Sequence, residues 1–177
     1  MAMRLLSKLR TLVRVLGGVC IAIRLRRVRG ECLTLYGFYG DADESPQRNI
    51  GDNAILTAML HQLSDVPLPK LIGVISRNGE YVAYGEEYEI PRSGVNPERW
   101  YPVIAKTKVL VIGGGGMFYD YRGSGGTTAG LLVLSLLFRL AGRKIMWYSI
   151  GVGPLNSRRA RVFTGIAARL ACTVTVR

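Results

Sequence analysis

A run of four glycines, Gly113 to Gly116, follows directly on the short apolar segment Lys108-Val-Leu-Val-Ile112. Val109 to Ile112 is apolar at every position, the pattern of a central strand buried on both faces of a parallel sheet. Four consecutive residues without a Cβ cost backbone entropy on folding, so a steric reason for them is expected. At the carboxyl end of such a strand, bare backbone can come close to an anion or a sugar.

The rest of the chain repeats the same grammar. Residues 33–38 read as a strand, 40–49 as a polar loop, and 52–63 as a helix. A second strand is expected at 70–76, and residues 81–101 form an irregular or short-strand connection. The third strand at 108–112 is followed by a helix at 128–140, a strand at 144–149, a helix at 157–170 and a strand at 172–176. The leucine-rich segment ending at Phe138 is apolar nearly all round, which predicts a helix buried against the sheet. Alternating β and α units predict an α/β fold, a Rossmann-like open parallel sheet over residues 31–177.

The charge is distributed unevenly. The chain carries 24 basic and 12 acidic residues, yet none of the acidic ones lies in residues 1–30 or 121–177. In the leader, residues 1–30, Leu5, Leu9, Leu12 and Leu16 fall at helical spacing with Arg4, Lys8, Arg10 and Arg14 between them. This is a basic amphipathic helix, suited to peripheral contact with an anionic membrane. The uncharged run from Val15 to Ile23 is too short to span hydrocarbon, and no cleavage site follows it. The competing reading is a helix that is solvated or packed on the fold. A cytoplasmic protein, peripheral at the inner face of the plasma membrane, is the expectation. No zinc finger, helix-turn-helix or RNP-like aromatic motif accompanies the charge, so no nucleic-acid partner is expected.

Other chemistries lack their residues. Cys20, Cys32 and Cys172 form no CxxC pair, and His61 is the only histidine, so no metal site is expected. His61 lies in the helical segment after the first loop and reads as a surface histidine. The glycine runs miss the dinucleotide spacing, because Phe118, Tyr119 and Asn156 stand where glycine is required, and no G-K-[ST] follows any of them.

Three strand-end loops carry the candidate binding residues. The first contains Asn49, Gly51, Asp52 and Asn53, whose side chains can read sugar hydroxyls or cap the next helix. The second is Gly113, Gly114, Gly115 and Gly116, closed by Asp120, which can accept from an acceptor hydroxyl or hold the loop. Tyr119, Tyr121 and Arg122 beside it suit a sugar face or a lipid-linked diphosphate, or simple packing. The third is Gly151 and Gly153, before Pro154, where a tight turn capped by Asn156 or Ser157 is the plainer alternative.

Four segments in order, Asn49-Ile-Gly-Asp-Asn-Ala-Ile-Leu56, the strand with Gly113-Gly-Gly-Gly-Met-Phe-Tyr-Asp120, the strand with Gly151-Val-Gly-Pro-Leu155, and Thr175-Val-Arg177, resemble the polysaccharide pyruvyl transferases. The resemblance implies transfer of the pyruvyl unit of phosphoenolpyruvate onto two sugar hydroxyls. The product is a cyclic pyruvate ketal on an exopolysaccharide or cell-surface glycan. It further implies the N-terminal domain of a two-domain, GT-B-type transferase, with phosphoenolpyruvate as donor substrate and no cofactor. The acceptor partner is then a glycan or lipid-linked oligosaccharide.

In the family an acidic residue and a serine follow the arginine at the position of Arg177, and a second Rossmann-like domain comes after them. The groups that clamp and protonate phosphoenolpyruvate belong mainly to that half. No catalytic residue is therefore assigned, and the 177-residue chain alone is expected to bind acceptor without turnover. The alternatives are a glycosyltransferase-like domain binding a nucleotide sugar, or a non-catalytic remnant acting as a membrane-surface binding module.

Overall fold

The structure, a computed structural model, describes residues 16–37, 54–55, 58–59, 61, 72–75, 80–83, 86–89, 97–120, 123 and 125–176. Helix α1 covers residues 16–25 and leads into β1 (Cys32–Tyr36). Ala54, Ile55, Ala58, Met59 and His61 belong to helix α2. Then come β2 (Ile72–Ile75), β3 (Glu80–Ala83), β4 (Glu86–Glu89), α3 (Pro97–Lys106), β5 (Thr107–Gly113) and β6 (Gly116–Asp120). The chain continues through α4 (Gly126–Leu140), β7 (Lys144–Leu155), α5 (Arg158–Leu170) and β8 (Thr173–Val176).

The sheet is open, and its main path runs β4-β3-β2-β1-β5-β7. The pairs β2·β1, β1·β5, β5·β7 and β7·β8 are parallel, which agrees with the Rossmann-like expectation. The connection at residues 81–101 resolves into the antiparallel ribbon β3·β4 at one edge, followed by α3. The β7 strand is the exception to a simple layout. It runs for 12 residues, where a six-residue strand and a glycine loop were expected, and its second half pairs with β6.

Side chains alternate across the sheet, as a two-residue period requires. Leu33 and Leu35 turn to one face and meet Val111 and Met59 of α2 in a small cluster. Leu110, Ile112, Ile145 and Trp147 turn to the other, under Leu131, Leu134 and Phe138 of α4 and Ala167 of α5. Ala22 of α1 joins this larger core. Residues 1–15 lie outside the described residues.

Helix ends are closed by identifiable groups. The α4 helix stops in a Schellman turn: Gly142, at φ 75°, donates to Arg139 O at 2.9 Å, and Arg143 N donates to Phe138 O at 2.9 Å. The Arg143 side chain then turns back under two other helices. Its Nε donates to Ile104 O at 3.0 Å, and its NH2 group to Ala105 O and Leu25 O, each at 3.2 Å. One buried guanidinium thus satisfies the last carbonyls of both α1 and α3. Burial lowers its pKa from the usual arginine value.

Candidate functional site

The β5–β6 and β7 segments leave the sheet together as a bent two-stranded ribbon. Gly113 pairs with Tyr148, and after two intervening residues on each strand Gly116 pairs with Gly151. Between these pairs both chains turn through the left-handed region, at Gly114 (φ 88°) and at Ser149 (φ 49°). Ser149 is held there by its own N–H, which donates to Thr175 Oγ1 at 2.8 Å, while Thr175 Oγ1 donates to Trp147 O at 3.1 Å.

The glycines have different reasons for being glycine. A Cβ on Gly113 would stand 2.2 Å from Tyr148 O, and one on Gly151 would stand 3.1 Å from Gly116 Cα. Gly151 N also donates to Gly115 O at 2.8 Å, so the two glycine segments are joined backbone to backbone. Gly116 and Gly153 instead have open space where a Cβ would be. Gly113, Gly114 and Gly115 are buried, and Gly116 is exposed. The open positions of the ribbon are thus Gly116 and Gly153, beside the exposed Val152 and Pro154.

Beneath the ribbon, Phe118 lies against Trp147 with ring centroids 4.3 Å apart and planes tilted by 31°. At its far end Asp120 is only 4% exposed. Its Oδ1 accepts from Gly125 N at 2.9 Å; its Oδ2 accepts from the Ser157 hydroxyl at 2.5 Å and from Ser157 N at 3.2 Å. Asn156 Nδ2 donates to the Asp120 carbonyl at 3.2 Å. Ser157 is the N-cap of α5 and accepts from Ala160 N at 3.1 Å. Of the two roles weighed for Asp120, the geometry displays the loop-holding one: the carboxylate ties the ribbon to the amino ends of α4 and α5.

Asn49, Gly51, Asp52, Asn53, Tyr121 and Arg122 lie outside the described residues. His61 sits exposed on α2, on the sheet face opposite α4 and α5. Tyr36, at the carboxyl end of β1 beside Ile112, is kept protonated above the usual tyrosine range by burial. Sequence reasoning did not single out Ser149, whose left-handed backbone carries no local sign. Among the described residues no group of three or more His, Cys, Asp or Glu could hold a metal ion. Cys20 and Cys172 are exposed, whereas Cys32 is buried, with its thiol donating to Leu33 O at 3.4 Å.

The paired glycine backbone is closed by the internally hydrogen-bonded Asp120 carboxylate, and its glycines lack the dinucleotide fingerprint spacing. No curated protein and no solved structure matches the chain. A model of the family described as polysaccharide pyruvyl transferase matches residues 49–177, a span that takes in the whole ribbon, Asp120 and Ser157. The chain therefore belongs to the polysaccharide pyruvyl transferase family.

Proposed function

We propose that this chain serves the transfer of a pyruvyl group from phosphoenolpyruvate to two hydroxyls of one sugar, and that its own part is to hold the acceptor at the glycine ribbon. In that reaction C2 of the enol gains two C–O bonds to sugar oxygens and loses its bond to the phosphate oxygen. One hydroxyl proton ends on the former methylene carbon and the other on the released phosphate. The clamp for the phosphate and the acid for the methylene are assigned to no residue of this chain.

The observation that carries the reading is Gly116 together with Gly153: two exposed or half-exposed positions with free space above the Cα, on a ribbon fixed from below by Phe118, Trp147 and Asp120. A rigid floor of peptide groups offers N–H donors and carbonyl acceptors to a polyol without side chains in the way. The acceptor is a glycan or lipid-linked oligosaccharide, and the basic leader brings the chain to an anionic membrane surface where such acceptors are displayed. Among the described residues no helix is long and apolar enough to cross a membrane.

The test is a titration of the isotopically labelled chain with disaccharides that carry free 1,2- or 1,3-diols, followed by amide NMR. Shifts centred on residues 115–116 and 151–153 are expected. Shifts confined to other parts of the chain, or none with any diol, would overturn acceptor binding at the ribbon.

A further inference from the structure

The two basic ends of the sequence, separated by ninety residues, come together on one face of the fold. Helices α1, α3, α4 and α5 all cover the same side of the sheet, with Ala22, Val103, Ile104, Phe138 and Ala167 in one core cluster, and α1, α4 and α5 carry its basic surface. The α4 and α5 helices pack side by side. The turn after α4 meets the turn after α1, where a Cβ on Gly142 would lie 3.2 Å from the Arg26 side chain. The outer surface of this layer exposes Arg24 and Arg27 beside α1, Arg139 on α4, and Arg158, Arg161 and Arg169 on α5. No acidic residue occurs in α1, α4 or α5, and α3 carries one, Glu98.

Two further observations say what such a surface meets. Leu16, Ile23, Leu136, Val162 and Ile166 are exposed among these arginines, an apolar component that phosphate recognition on nucleic acid does not need. The first turn of α5 holds Arg158, Arg159 and Arg161 and no acidic residue, against the helix dipole, so these charges do not serve the helix itself. They lie at the carboxyl end of the sheet, because α5 follows β7. Arg26 and Arg27 lie at the amino end, because β1 follows them. Basic groups therefore border the layer at both ends, with exposed aliphatic side chains between.

We propose that the outer face of the α1–α4–α5 layer docks flat on an anionic lipid bilayer, arginines in the headgroup region and aliphatic side chains at its boundary. The inference deepens the peripheral-membrane part of the reading above, replacing a tether by the leader alone with a whole helical face. It does not depend on pyruvyl transfer. In this pose the sheet lies parallel to the bilayer, and the glycine ribbon stands at the rim of the docked face.

Flotation of the full chain with phosphatidylcholine vesicles, with and without phosphatidylglycerol, tests it directly. Binding to the anionic vesicles is expected, weakening with salt and surviving an excess of inorganic phosphate. The pairs Arg24→Glu with Arg27→Glu, and Arg158→Glu with Arg161→Glu, should each reduce binding about tenfold or more, with unchanged thermal melts because all four side chains are exposed. Ile166→Asp should also weaken binding. Three results would overturn the proposal: no preference for anionic vesicles, loss only with the α1 pair, or binding to duplex DNA or RNA in place of lipid. None of these assays contains phosphoenolpyruvate or glycan, so their failure leaves the acceptor reading standing.

Discussion

The Asp120 carboxylate accepts the Ser157 hydroxyl at 2.5 Å, across 37 residues of sequence, and with its other oxygen holds Gly125 N at 2.9 Å. This one side chain closes the glycine ribbon onto the starts of two helices. Replacing it by alanine leaves two backbone N–H groups and a hydroxyl without their acceptor. Asp120→Ala is expected to cost about 3 kcal/mol, and Asp120→Asn about 1–2 kcal/mol because one carbonyl oxygen remains. Chemical denaturation of the three proteins measures this. An alanine variant as stable as the parent would mean that the carboxylate serves a ligand rather than the loop.

Gly113 and Gly116 separate packing from binding. Alanine at 113 would press its Cβ onto Tyr148 O at 2.2 Å, a loss of about 2 kcal/mol or more. Alanine at 116 meets no atom of the described residues within 4 Å, so its stability should stay within about 0.5 kcal/mol of the parent. Its affinity for a diol-bearing disaccharide should nevertheless fall. Unchanged sugar affinity in a normally folded Gly116→Ala protein would count against acceptor contact at the ribbon.

Arg143 joins α1 to the body of the fold through three carbonyls. Arg143→Ala is expected to lose about 2–3 kcal/mol, and Arg143→Lys an intermediate amount, because an ammonium group cannot span the same three acceptors in one plane. Hydrogen exchange gives the sharper readout. Protection of residues 16–25 should drop before that of α4, and equal loss in both would contradict the clasp.

Thr164 on α5 buries a hydroxyl that has no hydrogen-bond partner among the described residues. Valine keeps the shape and removes the unpaid desolvation of that group, so Thr164→Val should gain about 1 kcal/mol and raise Tm by roughly 2–4 °C. A fall in Tm would show that the hydroxyl is paired in solution.

Much of the architecture was legible in the sequence. The all-apolar Val109 to Ile112 and the leucine-rich α4 declare a central strand and a buried helix by pattern alone, and both stand where expected. The ribbon was not legible. Glycine depresses strand propensity, so Gly116 to Asp120 and Gly151 to Leu155 read as loops, and only their pairing with each other makes them strands. Neither Asp120 nor Ser157 carries a local mark of the bond between them; Ser157 showed as a helix cap and Asp120 as a loop acceptor. The packing of α1 was hidden for a similar reason. Gly18 and Ala22 look like part of a short apolar run, and the helix buries one side while exposing Leu16 and Ile23 on the other. The loop from Asn49 to Asn53 lies outside the described residues and adds nothing to either side of this comparison.

The central claim is that this chain serves pyruvyl transfer onto a glycan. Its most direct test is proton NMR of the surface glycan from source cells, from cells in which the gene is disrupted, and from disrupted cells that carry it again. The account predicts that the methyl singlet of a pyruvate ketal disappears on disruption and returns on complementation. A ketal signal of unchanged intensity in all three, or none in the undisturbed cells, would contradict it.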